Sequence, residues 1–232
     1  YSIKYSPRFV KDLLSYKSMA KADSKTQKMR LNPRYDLHKN AGVTSGIYFH
    51  QDLWAAKKIY QAEPDFHVDI GSRIDGFVAH LLTFTEVKYI DIRPLQSSLP
   101  NLEFIQSDAT KLEVFEEDSI KSLSSLNVAE HFGLGRYGDP IDPEGSEKFM
   151  KSLQRVLAYN GRLYFSVPIG KERVEFNSHR IFNPMDIIRY FDELKLVSYS
   201  AIIDGELVES IHPDDVKLKS KSYDCGLYVF TK

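Results

Sequence analysis

Four short apolar runs follow one another at near-regular intervals, each closed by an acidic residue or an acid-containing pair. They are Phe66-His67-Val68-Asp69, Val87-Lys88-Tyr89-Ile90-Asp91, Leu102 to Asp108, and Ile120 to Val128 running into Ala129-Glu130-His131. Runs rich in β-branched residues that alternate with helical patterns are the mark of βαβ units, and therefore of a parallel sheet. In an open α/β sheet, ligands bind beyond the carboxyl ends of the strands. The residues just past these four runs are thus the first candidates for a site.

The remaining pattern completes the arrangement. Strands are expected near 66–70, 86–91, 102–106, 119–126, 161–167, 194–203 and 223–231, with helices near 75–84, 145–158 and 184–192. Asn160-Gly161 suits a left-handed end to the second of these helices. Asn183-Pro184 starts the third with an N-cap and a proline, and Asp186 follows in the first turn. Asp204-Gly205 reads as a two-residue hairpin turn. Upstream, Ser6-Pro7 opens a helix whose stripe is Phe9, Val10, Leu13, Leu14 and Tyr16. A second helix runs from about Tyr48 to Gln61 and ends at Glu63-Pro64, with Phe49, Leu53, Trp54, Ile59 and Tyr60 as its expected buried face. The expected organisation is a basic helical extension over residues 1–62 and one α/β domain over 63–232.

Composition narrows the class of function. The 232 residues carry a formal net charge of −1, so the global electrostatic footprint of a nucleic-acid binder is missing. Residues 1–40 alone hold ten Lys/Arg against Asp12, Asp23 and Asp36; this is a solvated face or a dock for something anionic. The single cysteine, Cys225, excludes an internal disulfide and a Cys-rich zinc site, and suits a buried small hydrophobe. No apolar run approaches the length of a membrane span, so a cytoplasmic setting is the default expectation.

Past the first strand, Gly71 permits a tight turn and close backbone approach, and the following helix offers free N–H groups. The loop lacks both the G-x-G-x-x-G spacing of a dinucleotide site and a P-loop lysine. Asp91 stands about twenty residues after Asp69, where a carboxylate can accept from two adjacent ribose hydroxyls.

Taken together, Asp69-Ile70-Gly71, Asp91, Asp108-Ala109, Asn127-Val128-Ala129-Glu130-His131 and Leu153 to Leu157 followed by Gly161-Arg162-Leu163 resemble the ordered motifs of class I S-adenosylmethionine-dependent methyltransferases. The resemblance covers about residues 64–232 and implies a three-layer, Rossmann-like α/β fold. Its seven-stranded, mostly parallel sheet would have the order 3-2-1-4-5-7-6 and an antiparallel last strand. It further implies S-adenosylmethionine as cofactor, with Asp69 and Gly71 by the methionine part, Asp91 by the ribose, Asp108 and Ala109 by the adenine, and Ile92 and Asn127 also among the cofactor-binding residues. A narrower string, Glu130 to Pro143 with Tyr48 to Trp54 upstream, resembles the domain-of-unknown-function family 268, which is methyltransferase-like.

The loop departs from the broader pattern, since Arg73 and Asp75 replace two glycines. Arg73 either pairs with a cofactor carboxylate or obstructs the pocket. His131 is the candidate general base, with Glu130 orienting it or binding substrate. Arg136, Tyr137, His179 and Arg180 are candidate substrate residues on two polar loops, suited to a small polar acceptor such as a saccharide or phosphorylated sugar. Asn127-x-x-Glu130-His131 matches a metal-binding Glu-x-x-Glu-His pattern with one ligand changed; Asp139, Asp142, Glu175 or His179 would have to compensate, and no metal is assigned. A non-catalytic binding or scaffold protein on the same fold is the alternative. A nicotinamide-dependent oxidoreductase, suggested by Asp91 alone, has the wrong glycine spacing.

Overall fold

The computed structural model describes residues 6–20, 28–34 and 38–232. Of the charges in the basic amino-terminal stretch, Lys4, Lys21, Lys25, Asp23 and Asp36 lie outside the described residues. Two compact units are present, Tyr1–Val43 and Thr44–Lys232. In the first, helix α1 (Ser6–Met19) carries the expected stripe, with Val10, Leu14 and Tyr16 exposed. The expected domain boundary at 62/63 falls after α2 (Ile47–Ala62), whereas the second compact unit begins before that helix.

That second unit is built on strands β1 (Phe66–Ile70), β2 (Glu86–Asp91), β3 (Leu102–Gln106), β4 (Ile120–Leu126) and β5 (Leu157–Ile169). A small hairpin, β6 (Arg173–Glu175) and β7 (His179–Ile181), follows; β8 (Lys195–Ile203), β9 (Glu206–Val208) and β10 (Asp224–Thr231) complete the set. Among the described residues the main sheet has eight strands in the order β3-β2-β1-β4-β5-β10-β8-β9. The first five run parallel, and β10 lies antiparallel between β5 and β8. The seven expected strands thus take the expected order. The eighth, β9, is the return arm of a hairpin whose turn residues Asp204 and Gly205 both have positive φ, as a type I′ turn requires.

Burial explains the strands. The last four residues of β1 and the last five of β4 are buried, as strands covered on both faces must be. One core layer joins Val68, Ile70, Leu123, Phe149, Leu153, Leu163 and Phe165; the other joins Trp54, Ile59, Phe77, Leu81, Val87 and Leu227. Helix α4 (Gly145–Val156) covers the first layer with Phe149, Met150, Leu153 and Val156, each contributing about 1.5–3 kcal/mol of burial. Helix α5 (Pro184–Tyr190) starts as expected, with Asn183 accepting from the Met185 N–H at 3.0 Å.

Three local expectations are corrected. Helix α4 ends at Val156, and Asn160-Gly161 sits inside β5, where Asn160 takes φ +61° and the register to β4 shifts. The left-handed residue serves a strand irregularity rather than a helix end. The helix expected over 75–84 is a π-helical turn, Ile74–Val78, leading into the one-turn α3 (Ala79–Leu81). The buried face of α2 is Gln51, Asp52, Trp54, Ala55, Ala56 and Ile59, while Phe49, Leu53 and Tyr60 are exposed. Helical periodicity located the helix but not its orientation, because two polar residues are buried there, Gln51 bonded to the sheet and Asp52 packed against Gly76, as described next.

Candidate active site

A cavity of about 850 Å³ opens at the carboxyl ends of β1, β2 and β4, within the usual size of a small-molecule site. Its wall includes Gly71, Arg73, Asp91, Ile92, Asp108, Ala109, Asn127, Glu130, His131, Arg136, Tyr137 and His179. Twelve of the fourteen residues singled out in the sequence therefore meet around one space. Asp69 and Arg180 are not on that wall.

Asp69 lies behind it. The carboxylate is fully buried and accepts from the Ser72 N–H at 3.1 Å, the Ser72 hydroxyl at 2.7 Å and the Ser124 hydroxyl. Burial pushes it up to about 7, against the pull of those donors. Because Ser124 donates to Asp69, it accepts from His67 Nε2–H at 2.8 Å, leaving His67 Nδ1 to accept from Ser122 at 2.7 Å. Burial holds His67 down to about 3, so it is neutral. This internal chain fixes the turn at Gly71, where φ is +69° and a Cβ would stand 2.8 Å from Val128 Cγ1.

Beyond the turn, Arg73 pairs with Asp75 at 3.2 Å and stacks 4.7 Å from the centre of the Tyr48 ring. The loop's next glycine, Gly76, leaves room for Asp52; a Cβ there would stand 2.3 Å from the Asp52 carboxylate. Asp52 accepts from Gln51 at 3.2 Å, and Gln51 accepts from Ser166 at 2.8 Å. These contacts turn the polar residues of α2 inward.

Asp91 is nearly closed over, at 9% side-chain exposure. Burial raises its pKa, but the bonds from Arg93 outweigh burial and hold the carboxyl below its ordinary range. Asp108 uses one oxygen for the Thr110 N–H at 2.9 Å and hydroxyl at 2.7 Å. Asn127 adopts φ +53° and accepts from the buried Cys225 thiol at 3.5 Å.

Glu130 and His131 occupy a 3₁₀ turn (Ala129–His131) directly after β4. Glu130 is buried, its Oε2 has no hydrogen-bond partner among the described residues, and desolvation pushes it up to about 8. His131 Nδ1 donates to the Ser178 carbonyl at 2.7 Å, and desolvation pushes the ring down to about 4. At neutral pH the imidazole is therefore neutral with its proton on Nδ1, and Nε2 carries the free lone pair. Glu130 Oε1 is 3.6 Å from Nε2, beyond a hydrogen bond. Tyr137 meets the His131 ring edge-on at 5.5 Å, and His179 meets it at 6.5 Å.

The loop over 132–145 is held from within. Asp139 accepts from the Gly133, Gly135 and Tyr137 N–H groups, and Asp142 pairs with Lys148 at 2.7 Å. Arg180, expected among the substrate residues, lies off the cavity wall and anchors this loop: its guanidinium donates to the Phe132 carbonyl, to Ser146 at 2.9 Å and to the Pro143 carbonyl at 3.2 Å. Asp139 and Asp142 thus spend their oxygens on the loop. Among the described residues no three His, Cys, Asp or Glu side chains converge on a metal position.

Tyr48, Arg93, Ser178 and Tyr223 also line the cavity and were not among the expected site residues. Tyr48 arrives on α2, ahead of the first strand, and Tyr223 just before the last strand, more than ninety residues after the end of β4. Arg93 had a hint, the acid two positions earlier.

The sheet order, the antiparallel β10 and the position of the cavity define a class I methyltransferase fold. Within it, the chain belongs to the DUF268 family, described as a Caenorhabditis protein of unknown function, whose model matches residues 78–222. Among curated proteins no sequence matches it. Solved structures similar in fold include 1,6-didemethyltoxoflavin-N1-methyltransferase of Burkholderia thailandensis, bound to 1,6-didemethyltoxoflavin and S-adenosylhomocysteine. It shares 13% identity over 78% of each chain, with a TM-score of 0.54. The N-methyltransferase NodS of Bradyrhizobium japonicum, also bound to S-adenosylhomocysteine, shares 12% identity over 81% of this chain and 88% of that one, with a TM-score of 0.52. The [4+2]-cyclase SpnF shares 10% identity over 78% and 81%, with a TM-score of 0.55.

Proposed function

We propose that this protein is an S-adenosylmethionine-dependent methyltransferase acting on a small polar acceptor, with a sugar hydroxyl as the candidate nucleophile and His131 as general base. One observation carries the reading: His131, its Nδ1 committed to the Ser178 carbonyl, lines the same cavity as Gly71, Asp91 and Asp108. The donor set suits the cofactor. Gly71 lets the backbone come close, Asp91 is the carboxylate for a ribose diol, and Asp108, Ala109 and Ile92 form the end for a base. Two of the similar folds carry S-adenosylhomocysteine, which supports the same ligand class here.

The cofactor supplies an electrophilic methyl group: the acceptor oxygen forms the C–O bond as the C–S bond breaks, its electron pair going to sulfur. The chain's part is alignment and proton removal. As the C–O bond forms, the hydroxyl proton becomes strongly acidic, so an imidazole with a pKa near 4 still accepts it. Glu130, protonated at neutral pH, is the neighbouring donor for a second acceptor oxygen. Arg136, Tyr137 and His179 form the acceptor wall.

Calorimetry with S-adenosylmethionine and S-adenosylhomocysteine, followed by transfer of a labelled methyl group to a panel of saccharides, tests the reading. No binding at millimolar ligand overturns it. A second reading, a non-catalytic binding protein, is favoured by the Arg93 guanidinium seated on Asp91. The cyclase with this fold is a reminder that fold does not choose the reaction. Methylated product that disappears with His131→Ala would exclude this second reading.

A further inference from the structure

Asp91 as it stands has no acceptor position left. Its Oδ1 takes the Arg93 backbone N–H at 2.8 Å and Arg93 Nε at 3.0 Å. Its Oδ2 takes Arg93 Nη2 at 2.6 Å and shares the Tyr89 hydroxyl proton, 3.1 Å away, with the Ser72 carbonyl at 3.0 Å. A carboxylate offers about four lone-pair positions, and all are engaged. A ribose diol needs one on each oxygen.

We propose that Arg93 is a displaceable plug: its guanidinium sits where a ligand's vicinal diol binds Asp91, and it reports the state of that seat to His131 through Tyr137. The proposal rests on the cofactor reading above. Two features of the bonding support it. Withdrawing the side chain removes Nε from Oδ1 and Nη2 from Oδ2, which frees one position on each oxygen while the backbone N–H stays. The guanidinium is half exposed, at 52%, so it returns to water at small cost, whereas the covered carboxylate would stand uncompensated without a ligand or the plug.

The second contact of Arg93 gives the relay. Its guanidinium carbon lies 4.5 Å from the centre of the Tyr137 ring, and that ring meets His131 edge-on. Asp91, Arg93, Tyr137 and His131 therefore touch in sequence, from the nucleoside seat to the candidate base. Filling the seat removes a cation from the face of Tyr137 and alters the surroundings of the imidazole. A permanent structural ion pair would have no such consequence, and this separates the two accounts.

The test compares wild type, Arg93→Met and Arg93→Lys by calorimetry with S-adenosylhomocysteine, and follows the His131 ring by nitrogen chemical shifts. Met keeps an unbranched side chain and removes the competing donors; Lys keeps the charge without the fork. The plug predicts binding about tenfold tighter for Arg93→Met, an intermediate value for Arg93→Lys, and a ligand-free His131 spectrum in Arg93→Met that already matches ligand-bound wild type. Unchanged or weaker binding by Arg93→Met, with wild type still binding, overturns the plug and leaves the cofactor reading standing. No binding by any of the three proteins overturns both.

Discussion

Glu130 Oε1 stands 3.6 Å from His131 Nε2, yet both groups are neutral near pH 7, because burial moves their pKa values in opposite directions. The acid is pushed up to about 8 and the imidazole down to about 4. Two neighbours that would form an ion pair in water thus form a neutral donor and a neutral base here.

The pH profile of kcat/KM should reflect that pairing. Activity needs neutral His131, so it falls below about pH 4, and it needs protonated Glu130, so it falls above about pH 8. His131→Ala should lower kcat about 10²–10⁴-fold and leave S-adenosylhomocysteine affinity near wild type. A profile limited by a group near 6.5 would reject this assignment.

Stability should respond to Glu130 on the alkaline side. Its folded pKa is raised, so the folded state holds a proton that the unfolded chain has lost, and stability falls as pH rises from about 4.5 to about 8. Glu130→Gln removes that cost. The variant should match wild type near pH 4 and exceed it by about 5 kcal/mol near pH 9, as measured by urea unfolding. For His67 and His131 the sign is reversed. Their folded values are depressed, so stability is lost as pH falls below about 6.5.

Gly71→Ala should cost about 1–3 kcal/mol, since the residue must hold a left-handed φ and its Cβ would press on Val128. The strain falls on the loop that faces the ligand. S-adenosylhomocysteine affinity should therefore drop together with the melting temperature, whereas Gly42→Ala, in open space, should change neither.

Arg180→Met should destabilise the protein by about 2–4 kcal/mol, because Pro143, Phe132 and Ser146 lose charged donors in a buried setting. Lysine should not restore the loss, since one ammonium cannot reproduce a fork that spans three acceptors. Equal stability of the Lys and wild-type proteins in denaturant titrations would show that the loop is anchored elsewhere.

Much of this molecule is legible in the chain itself. Apolar β-branched runs and period-3.6 patterns located the strands and most of the helices, because parallel strands covered on both faces read as apolar runs whatever surrounds them. The acids that close those runs converge for the same reason: parallel strands deliver their carboxyl ends to one edge. Asn183-Pro184 and Asp204-Gly205 also declared themselves, since their turns depend on local φ and one nearby hydrogen bond.

Tertiary structure decided the rest, wherever a residue's role depends on a partner distant in the chain. Arg180 looked like a substrate group and became a loop anchor, because the carbonyls it meets lie about forty positions earlier. Asp69 moved behind the wall once Ser124 supplied a hydroxyl from β4. Tyr48 entered the cavity because buried Gln51 and Asp52 set the rotation of α2. The sequence by itself determined where the strands lie along the chain and the edge at which the site opens, through apolar runs closed by polar residues, while their order in the sheet was implied by the family resemblance. Only the folded chain decided which charges face the cavity and which are neutral there, because burial and hydrogen-bond partners are set by residues that meet only when the chain folds.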